Sequence, residues 1–295
     1  MVITVTGSTG TIGSELLRLL SAAEVATRAV VRNPAKIAPL PNIVPMIADL
    51  ADERTLDAAL AGTTRLFLLT DNQAGFSALQ IRILRAAERL GVAHVVKLSA
   101  LGASDHSRSS IGREHWEVEQ ALQQTSMTWT ILRPHAFMQN WLGDVAESVR
   151  NEGVIRSPIG DGRVPFIDTR DIAAVAAEAL RHPEAHTGRK YVLTGGEAVG
   201  YADLASALSE VTKRPVRYEP IAMDEARARL EAKGADKTQI DAMLAIASYQ
   251  AEGGPTAMVS DKVAKVLGAP PRTIRDFARD HAERFRSAPG AAPPP

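Results

Sequence analysis

The sequence predicts an α/β fold, in which a doubly wound parallel sheet is followed by a smaller, mostly helical C-terminal lobe. Three observations favour this fold class. Short apolar strands alternate with amphipathic helices through the first half of the chain, as in parallel sheets whose strands are joined by helices. A glycine-rich turn lies between the first strand and the first helix. The regular alternation then weakens after Gly153, where we expect the smaller lobe to begin.

The strands of the first half are short and almost continuously apolar, which is expected when helices cover both faces of a sheet. We predict strands over residues 2–6, 27–31, 43–47, 65–70, 92–98 and 128–132. The helices between them carry apolar residues on one face, as Ile12, Leu16 and Leu19 do in the first helix. We predict that this helix ends near residue 22, and that others begin near 53 and cover 74–90 and 111–124.

The second half contains more helices, separated by proline and glycine. We predict helices beginning near residue 136 and covering 169–180, 201–211, 223–233, 237–249, 261–267 and 272–285, with strands near 190–193 and 216–218. Asp168, Arg170 and Asp171 fit a helix start, because acidic side chains are favourable there. We expect a loop around His182 and His186.

The composition limits the function classes. The chain has 295 residues, of which 45% are hydrophobic, and its 34 basic residues balance its 34 acidic residues. No overall charge attracts nucleic acid or an anionic membrane, so we expect neither partner. The absence of cysteine excludes disulfides and thiolate chemistry. No apolar run approaches the roughly 18 residues of a membrane span, and the first strand starts at Val2, so we expect a cytoplasmic protein.

Gly7, Gly10 and Gly13 lie three residues apart, directly after the apolar strand that opens the chain. In a strand–turn–helix of this kind, glycines permit a tight turn, a close approach of backbone to phosphate and close packing of the helix on the strand. The N–H groups at the start of the helix bind the anion. The order of strand, turn and helix predicts a dinucleotide-binding Rossmann core rather than a purely structural turn.

Arg32 indicates which dinucleotide binds. The second strand ends at Val31, where a Rossmann core often has an acidic residue for the ribose hydroxyls, but here Arg32 follows, with Lys36 nearby. A guanidinium can bind a 2′-phosphate through paired hydrogen bonds, which favours NADP(H) over NAD(H). Alternatively, Arg32 and Lys36 are solvated loop cations.

We therefore divide the chain into three parts. Residues 1–154 are predicted to form the NAD(P)-binding core, and residues 155–286 a substrate lobe interleaved with it, because the strand near 190–193 is expected to return to the sheet. Residues 287–295 are rich in alanine and proline and are predicted to be a disordered tail. The seven histidines show no pair at metal-ligand spacing, so we expect no metal.

Several separated segments resemble the NmrA-like, atypical short-chain dehydrogenases, which include NAD(P)H:quinone reductases and triphenylmethane-dye reductases. The segments are GSTGTIG at 7–13, VVRNPAK at 30–36, ADL at 48–50, LLTDN at 68–72, KLSALGA at 97–103, REHWEVEQAL at 113–122, TILRPHAFMQNW at 130–141 and DTRDIAAVAAEAL at 168–180. Together they cover most of the chain. The resemblance implies a Rossmann fold and NAD(P)H-dependent chemistry.

The resemblance also implies which residues hold the cofactor. The implied residues are Gly7, Thr9, Gly10, Thr11, Ile12 and Gly13 for the pyrophosphate, Arg32 and Lys36 for the 2′-phosphate, Asp49 and Leu50 for the adenine, Thr70, Asp71 and Asn72 for the ribose and diphosphate region, and Ser99, Pro134 and His135 beside the nicotinamide. Two of these have a structural alternative. Asp49 also suits a turn or a helix entry, and Ser99 could be an ordinary loop serine.

One departure from the short-chain dehydrogenase pattern concerns the proton donor. Many members use Tyr-x-x-x-Lys on the helix before the sixth strand, where the tyrosine protonates a carbonyl oxygen. Counting back from that strand places Ile111 at the tyrosine position and His115 at the lysine position. His115 is either a packed histidine or a residue directed at the cofactor ribose, and imidazole could release a proton near pH 7. His115 and Ser99 are the candidate catalytic residues.

The missing tyrosine favours an acceptor that needs little acid catalysis. Quinones and cationic dyes take hydride into a conjugated system that stabilises the product charge. Five residues could contact a flat aromatic substrate, although each also suits a packed core: Phe137, Met138, Asn140, Trp141 and Phe166. We expect an NADPH-dependent quinone reductase, monomeric or homodimeric. The alternative is an NADP(H)-binding redox sensor with little or no catalysis.

Overall fold

Seven parallel strands form the main sheet of the computed structural model, which describes residues 1–286. The strands are β1 (Ile3–Val5), β2 (Thr27–Val31), β3 (Ile43–Ile47), β4 (Arg65–Leu68), β5 (His94–Leu98), β6 (Thr128–Pro134) and β8 (Arg189–Leu193). Their order is β3-β2-β1-β4-β5-β6-β8, so the direction of winding reverses between β1 and β4. The predicted doubly wound α/β fold is confirmed. The tail predicted at 287–295 lies outside the described residues.

The chain divides into two compact units. The first contains residues 1–134, 169–193 and 262–269, and the second contains 135–168, 194–261 and the described residues from 270 onward. The boundary predicted at residue 154 lies within the second unit, because β7 (Val154–Ser157) pairs with β9 (Arg217–Pro220) and not with the main sheet. The strand expected near 190–193 is β8, which pairs with β6 in the main sheet.

Helices of the first unit cover the apolar strands. They are α1 (Thr11–Ala22), α2 (Glu53–Leu60), α3 (Phe76–Arg89), α4 (Ser110–Gln123), α6 (Thr169–Arg181), α7 (Pro183–His186) and α11 (Lys262–Leu267). Helix α1 packs against α6, and α3 packs against α4. Every residue of β5 is buried, because this strand lies inside the sheet. At one edge of the sheet, β3 contains Pro45 and exposes Val44 and Ile47.

The second unit is built around aromatic side chains. Its helices are α5 (Asp144–Glu152), α8 (Tyr201–Thr212), α9 (Met223–Ala232), α10 (Lys237–Glu252), α12 (Ile274–Asp280) and α13 (Ala282–Phe285). The ring of Trp141 is 4.7 Å from that of Phe166 and 5.4 Å from that of Phe277, measured between centroids. Burying such rings contributes both apolar area and edge-to-face attraction.

Three predicted segments differ from the structure. The helix expected from residue 136 is a 3-10 turn, Met138–Leu142, followed by α5, because Gly143 at ψ −115° interrupts the helical backbone. The helix expected over 272–285 ends at Asp280 and is followed by α13. The loop expected around His186 contains the short helix α7, which has Pro183 in its first turn.

Candidate functional site

The glycine turn lies between β1 and α1, at the point where the strand order reverses. Gly7 has φ +64°, and a Cβ there would lie 2.8 Å from the side chain of Leu69. A Cβ on Gly13 would lie 2.1 Å from the carbonyl oxygen of Gly7. Gly7 and Gly13 therefore have to be glycine for the turn to close. A Cβ on Gly10 would have only that carbonyl oxygen within 4 Å, at 3.4 Å, so the space beside Gly10 is open.

The start of α1 has unpaired donors that fit a diphosphate. Gly10 is the N-cap, no side chain caps the helix, and its first turn has no acidic residue. Within the described chain, the N–H groups of Thr11, Ile12 and Gly13 have no hydrogen-bond partner. Thr9, Gly10 and Thr11 are exposed. Unpaired N–H groups at the positive end of a helix, beside an open glycine, form an anion site.

Arg32 and Lys36 lie in the exposed segment after β2. Neither side chain makes an ion pair or hydrogen bond with any residue from 1 to 286. The side chain of Asn33 accepts a hydrogen bond of 3.0 Å from the N–H of Ala35 and so begins the 3-10 turn Pro34–Lys36. The turn is fixed, whereas both cations remain available to a ligand.

Asp49 follows β3 and is held in a turn. Its Oδ1 accepts a hydrogen bond of 2.9 Å from the N–H of Ala51, and its carbonyl oxygen accepts one of 2.7 Å from the hydroxyl of Thr55. The turn alternative for Asp49 is therefore present in the structure. The carboxylate is still exposed, and Leu50 beside it is half-buried, so both could contact a flat ring as well.

Thr70 lies just beyond the end of β4 and is fixed from α3. Its hydroxyl accepts a hydrogen bond of 2.8 Å from Nε2 of Gln80, a side chain that is 1% exposed. The hydroxyl then donates to the carbonyl oxygen of Asp71 at 3.2 Å. Asp71 and Asn72 are exposed. The segment thus has one anchored residue and two accessible polar side chains.

Ser99 follows β5 and belongs to a buried polar cluster. Its hydroxyl donates to Oε1 of Glu119 at 2.6 Å. Glu119, which is 0% exposed, also accepts two hydrogen bonds from the guanidinium of Arg133, at 2.8 and 2.5 Å. Nζ of Lys190 lies 3.5 Å from the same carboxylate. Because Ser99 donates its only O–H proton to Glu119, its oxygen can only accept a hydrogen bond from a ligand.

His115 lies on α4 beside Lys97, a lysine buried within β5. Nζ of Lys97 is 3.1 Å from Nδ1 of His115 and also donates to the carbonyl oxygen of Leu98. The ring of Phe76 packs on the imidazole with centroids 4.8 Å apart. Burial lowers the pKa of Lys97 to about 7, although the charge of Glu119 opposes the shift. Burial, together with Lys97 and Arg133, holds the pKa of His115 well below its usual value.

His135 belongs to the second unit and is held by two hydrogen bonds. Its Nδ1 accepts from the N–H of Ala136 at 2.6 Å, so its Nε2 carries the proton and donates to the carbonyl oxygen of Thr256 at 3.0 Å. Burial lowers its pKa to about 4. His135 is therefore neutral at pH 7, and both ring nitrogens are occupied. Pro134 ends β6 and accepts a hydrogen bond of 3.0 Å from the N–H of Leu101.

The candidate substrate residues differ in exposure. Met138, Trp141 and Phe166 are 2%, 1% and 5% exposed and belong to the apolar core of the second unit. Their burial favours the packing alternative. Phe137 is half-buried and Asn140 is exposed, so these two remain accessible.

The structure brings in three residues that sequence analysis did not assign to a site. Lys97 is hydrogen-bonded to His115, Glu119 accepts a hydrogen bond from Ser99, and Arg133 donates to Glu119. Lys97 interrupts the apolar segment HVVKL, and Glu119 follows His115 by one helical turn. The charge of Lys97 inside an apolar strand was the sequence feature that could have indicated a buried polar cluster.

Residues 1–286 contain neither a cluster of metal ligands nor a membrane-spanning helix. No group of three or more histidine, aspartate and glutamate side chains is arranged to hold a metal ion there. In the same range, no helix has both the length and the apolar character that crossing a membrane requires.

Comparison with known proteins gives consistent results. A model of the NmrA-like family matches residues 1–277. The chain is 39% identical over 288 residues to an NAD(P)H azoreductase of Xenophilus azovorans, covering 97% of this chain and 100% of that protein. A quinone oxidoreductase of Escherichia coli, in complex with NADPH, superposes with TM-score 0.84 at 27% identity, over 94% and 99% of the two chains. A Citrobacter triphenylmethane reductase in complex with NADP(H) has TM-score 0.82 over 96% and 100% of the two chains; its 24% identity shows likeness of fold alone.

Proposed function

The chain belongs to the NmrA-like family and is an NAD(P)H-dependent oxidoreductase, and we propose that it reduces quinones or other conjugated, electron-poor acceptors with NADPH. One observation carries the proposal. The uncapped glycine turn fits a dinucleotide, while helix α4 has neither tyrosine nor lysine to act as the usual acid pair. The names of two similar proteins, an azoreductase and an NADPH-dependent quinone oxidoreductase, support the proposal.

The proposed cofactor contacts begin at the glycine turn. The free N–H groups of Thr11, Ile12 and Gly13 would bind the pyrophosphate, and Arg32 with Lys36 would bind the 2′-phosphate. Asp49 and Leu50 would contact the adenine, and the segment from Thr70 to Asn72 the ribose and diphosphate. Ser99 and the backbone at Pro134 and His135 would lie beside the nicotinamide. When bound, the reduced nicotinamide supplies a hydride.

The proposed class of acceptor depends on which side chains could donate a proton to it. Ile111 occupies the tyrosine position and is half-buried, and His135 is neutral with both nitrogens in use. A simple ketone needs a proton at oxygen as hydride arrives, whereas a conjugated acceptor delocalises the charge. Holding donor and acceptor in register would then promote hydride transfer, and a proton is needed only afterwards, at the oxygen of a reduced quinone. We propose Phe137 and Asn140 as substrate contacts.

Turnover with a panel of acceptors tests the function. Purified protein with NADPH should oxidise the cofactor in the presence of benzoquinones, azo dyes or triphenylmethane dyes, and much more slowly with simple ketones. Absorbance at the reduced-nicotinamide band measures the rate. Tight NADPH binding without turnover on any acceptor would instead favour the redox sensor.

Arg32→Ala tests the cofactor preference. Loss of a charge-assisted contact of about 1.5–3 kcal/mol should weaken NADPH binding by about tenfold or more and leave NADH binding nearly unchanged. Tryptophan fluorescence titration measures both constants. Arg54→Ala is the matched control, because its side chain is 92% exposed and lies outside the proposed site. An equal loss of NADPH and NADH affinity in Arg32→Ala would contradict the 2′-phosphate assignment.

A further inference from the structure

Lys97 is a buried cation that the proposed function does not yet use. Lys97 is 0% exposed and lies inside β5, where an aliphatic side chain would pack without the desolvation cost of a charge. Burying an ammonium group is expensive unless it is paired. Its nearest polar neighbours are the carbonyl oxygen of Leu98 and Nδ1 of His115. A lysine retained at such a position calls for a role that an apolar residue could not perform.

The contact between Lys97 and His115 fixes where the imidazole carries its proton. An ammonium group is only a donor, so Nδ1 of His115 must accept and Nε2 must carry the hydrogen. No residue from 1 to 286 forms a hydrogen bond with that Nε2–H. The contact between Lys97 and Nδ1 therefore sets the tautomer of His115. The N–H group at Nε2 remains available to donate a hydrogen bond to a ligand.

We propose that Lys97 and His115 form a proton relay that replaces the absent Tyr-x-x-x-Lys pair, in which Lys97 stores the proton and His115 delivers it to an oxygen of the reduced acceptor. The proposal rests on the proposed reductase function. Lys97 is the positioning and proton-storing residue, and His115 is the residue that contacts the ligand.

The transfer balances in protons and charge. Hydride addition leaves an acceptor such as a quinone with a negative oxygen. The N–H bond at Nε2 of His115 breaks as an O–H bond forms, and an N–H bond of Lys97 breaks as one forms at Nδ1. The imidazole ends neutral in its other tautomer, and Lys97 ends as a neutral amine. The relay resets when Nε2 of His115 takes a proton from solvent and Nδ1 returns its proton to Nζ of Lys97. No imidazolium forms, which agrees with the low pKa of His115.

The charges around the relay suit this role. Glu119, on the same helix as His115, stabilises the ammonium form of Lys97, while burial destabilises it, and the resulting pKa is about 7. Arg133 from β6 and Lys190 from β8 pair with that carboxylate. From α3, the ring of Phe76 contacts His115, and Glu114 of α4 accepts from the N–H groups of Gly75 and Ser77. A group with a pKa near the working pH is best placed to exchange protons.

The first test needs neither cofactor nor substrate. In protein carrying ¹⁵N-labelled histidine, Nε2 of His115 should be protonated, and the Nδ1 signal should shift with a midpoint near pH 7 as Lys97 loses its proton. Lys97→Met should remove that titration. A protonated Nδ1 in the wild type at neutral pH or below, or the same midpoint in the variant, would overturn the relay.

The second test compares two acceptors. Reduction of a quinone takes up a proton at oxygen, whereas reduction of a cationic triphenylmethane dye forms a carbon–hydrogen bond and needs none. Lys97→Met should lower the ratio of quinone to dye turnover by at least about 100-fold, the low end of general acid catalysis. It should also abolish the loss of quinone turnover that we expect for the wild type as pH rises through about 7.

Lys190→Met is the matched control. It removes a lysine that pairs with Glu119 and forms no hydrogen bond with His115, so the ratio should stay within twofold. Equal losses with both acceptors in Lys97→Met would mean that Lys97 is only structural. If Lys97→Met does not fold, His115→Phe interrupts the relay at its other member and should lower the ratio equally. A wild type that reduces neither acceptor would reject the proposed function itself, and the relay with it.

Discussion

The glycine turn and the polar cluster lie near the carboxyl ends of two strands of one parallel sheet, β1 and β5, yet they are built in opposite ways. The turn uses unpaired backbone N–H groups and carries no charged side chain. The cluster places two hydrogen-bonded groups in the interior, Lys97 with His115 and Ser99 with Glu119 and Arg133, and these groups interact through the charges of Lys97 and Glu119. The backbone fixes the first, and mutual hydrogen bonding fixes the second.

This difference indicates which kinds of substitution the turn and the cluster each tolerate. A backbone site depends on steric space, so one added methyl group can close it. A buried network of charges depends on complete pairing, because a charge left without its partner keeps the desolvation cost and loses the compensating attraction. The turn should therefore respond to side-chain size, and the cluster to side-chain charge.

Removing the carboxylate at the centre of the cluster should have the largest effect. Glu119→Ala leaves Arg133 and Lys190 without their counter-charge, and we expect it to lower the free energy of unfolding by about 3–5 kcal/mol. Urea denaturation measures the change. Glu225→Gln, which breaks the exposed pair with Arg229, should change stability by about 0.5 kcal/mol or less. If the two substitutions lower the free energy of unfolding by similar amounts, burial does not increase the contribution of the Glu119 charge to stability.

Enlarging the glycine turn should have the next largest effect. Gly13→Ala places a Cβ 2.1 Å from the Gly7 carbonyl oxygen, so helix and turn must separate, at a cost of about 3 kcal/mol. Thermal unfolding and NADPH titration should both show the loss. Gly10→Ala meets no such clash, and we expect it to weaken NADPH binding while the melting temperature stays nearly constant. If Gly10→Ala lowers the melting temperature as much as Gly13→Ala, the space beside Gly10 is not open.

The smallest expected effect is the contribution of Lys97 to the pH dependence of the free energy of unfolding. Burial lowers the pKa of Lys97 from 10.5 to about 7, so between these values the unfolded chain holds a proton that the folded chain has released. Stability due to this group should rise with pH across that window, by at most about 1.4 kcal/mol per pH unit. The gap in unfolding free energy between wild type and Lys97→Met, measured at pH 7, 8 and 9, should shift accordingly. A constant gap would mean that Lys97 keeps its proton throughout.

The fold and the cofactor turn could be predicted because their determinants are local. Strand, glycine spacing and helix period all lie within residues 2–22, and the parallel order follows from repeated alternation. The second unit was harder to predict. Gly143 divides a segment whose apolar spacing suggested one continuous helix, and the four-residue strand β7 is paired with β9, about sixty residues later in the chain.

The polar cluster could not be predicted as a unit, because its contacts join residues far apart in sequence. His115 was identified by its position on α4, but the counting did not indicate that Lys97 would be 3.1 Å from its Nδ1. Likewise, Ser99 gave no indication that its proton is donated to Glu119. Such contacts depend on the register of β5 and on how α4 packs against the sheet, both of which are set by tertiary structure.

The composition of the two outer strands bears on how the protein behaves at high concentration. An exposed strand edge is a template for intermolecular pairing, and flat apolar edges are sites of aggregation. On β3, Pro45 removes one N–H donor from a strand whose Val44 and Ile47 are exposed. At the opposite edge, β8 begins with the exposed cations Arg189 and Lys190. The β3 edge therefore offers one N–H donor fewer to an incoming strand, and the charge of Arg189 disfavours pairing between two copies of the β8 edge.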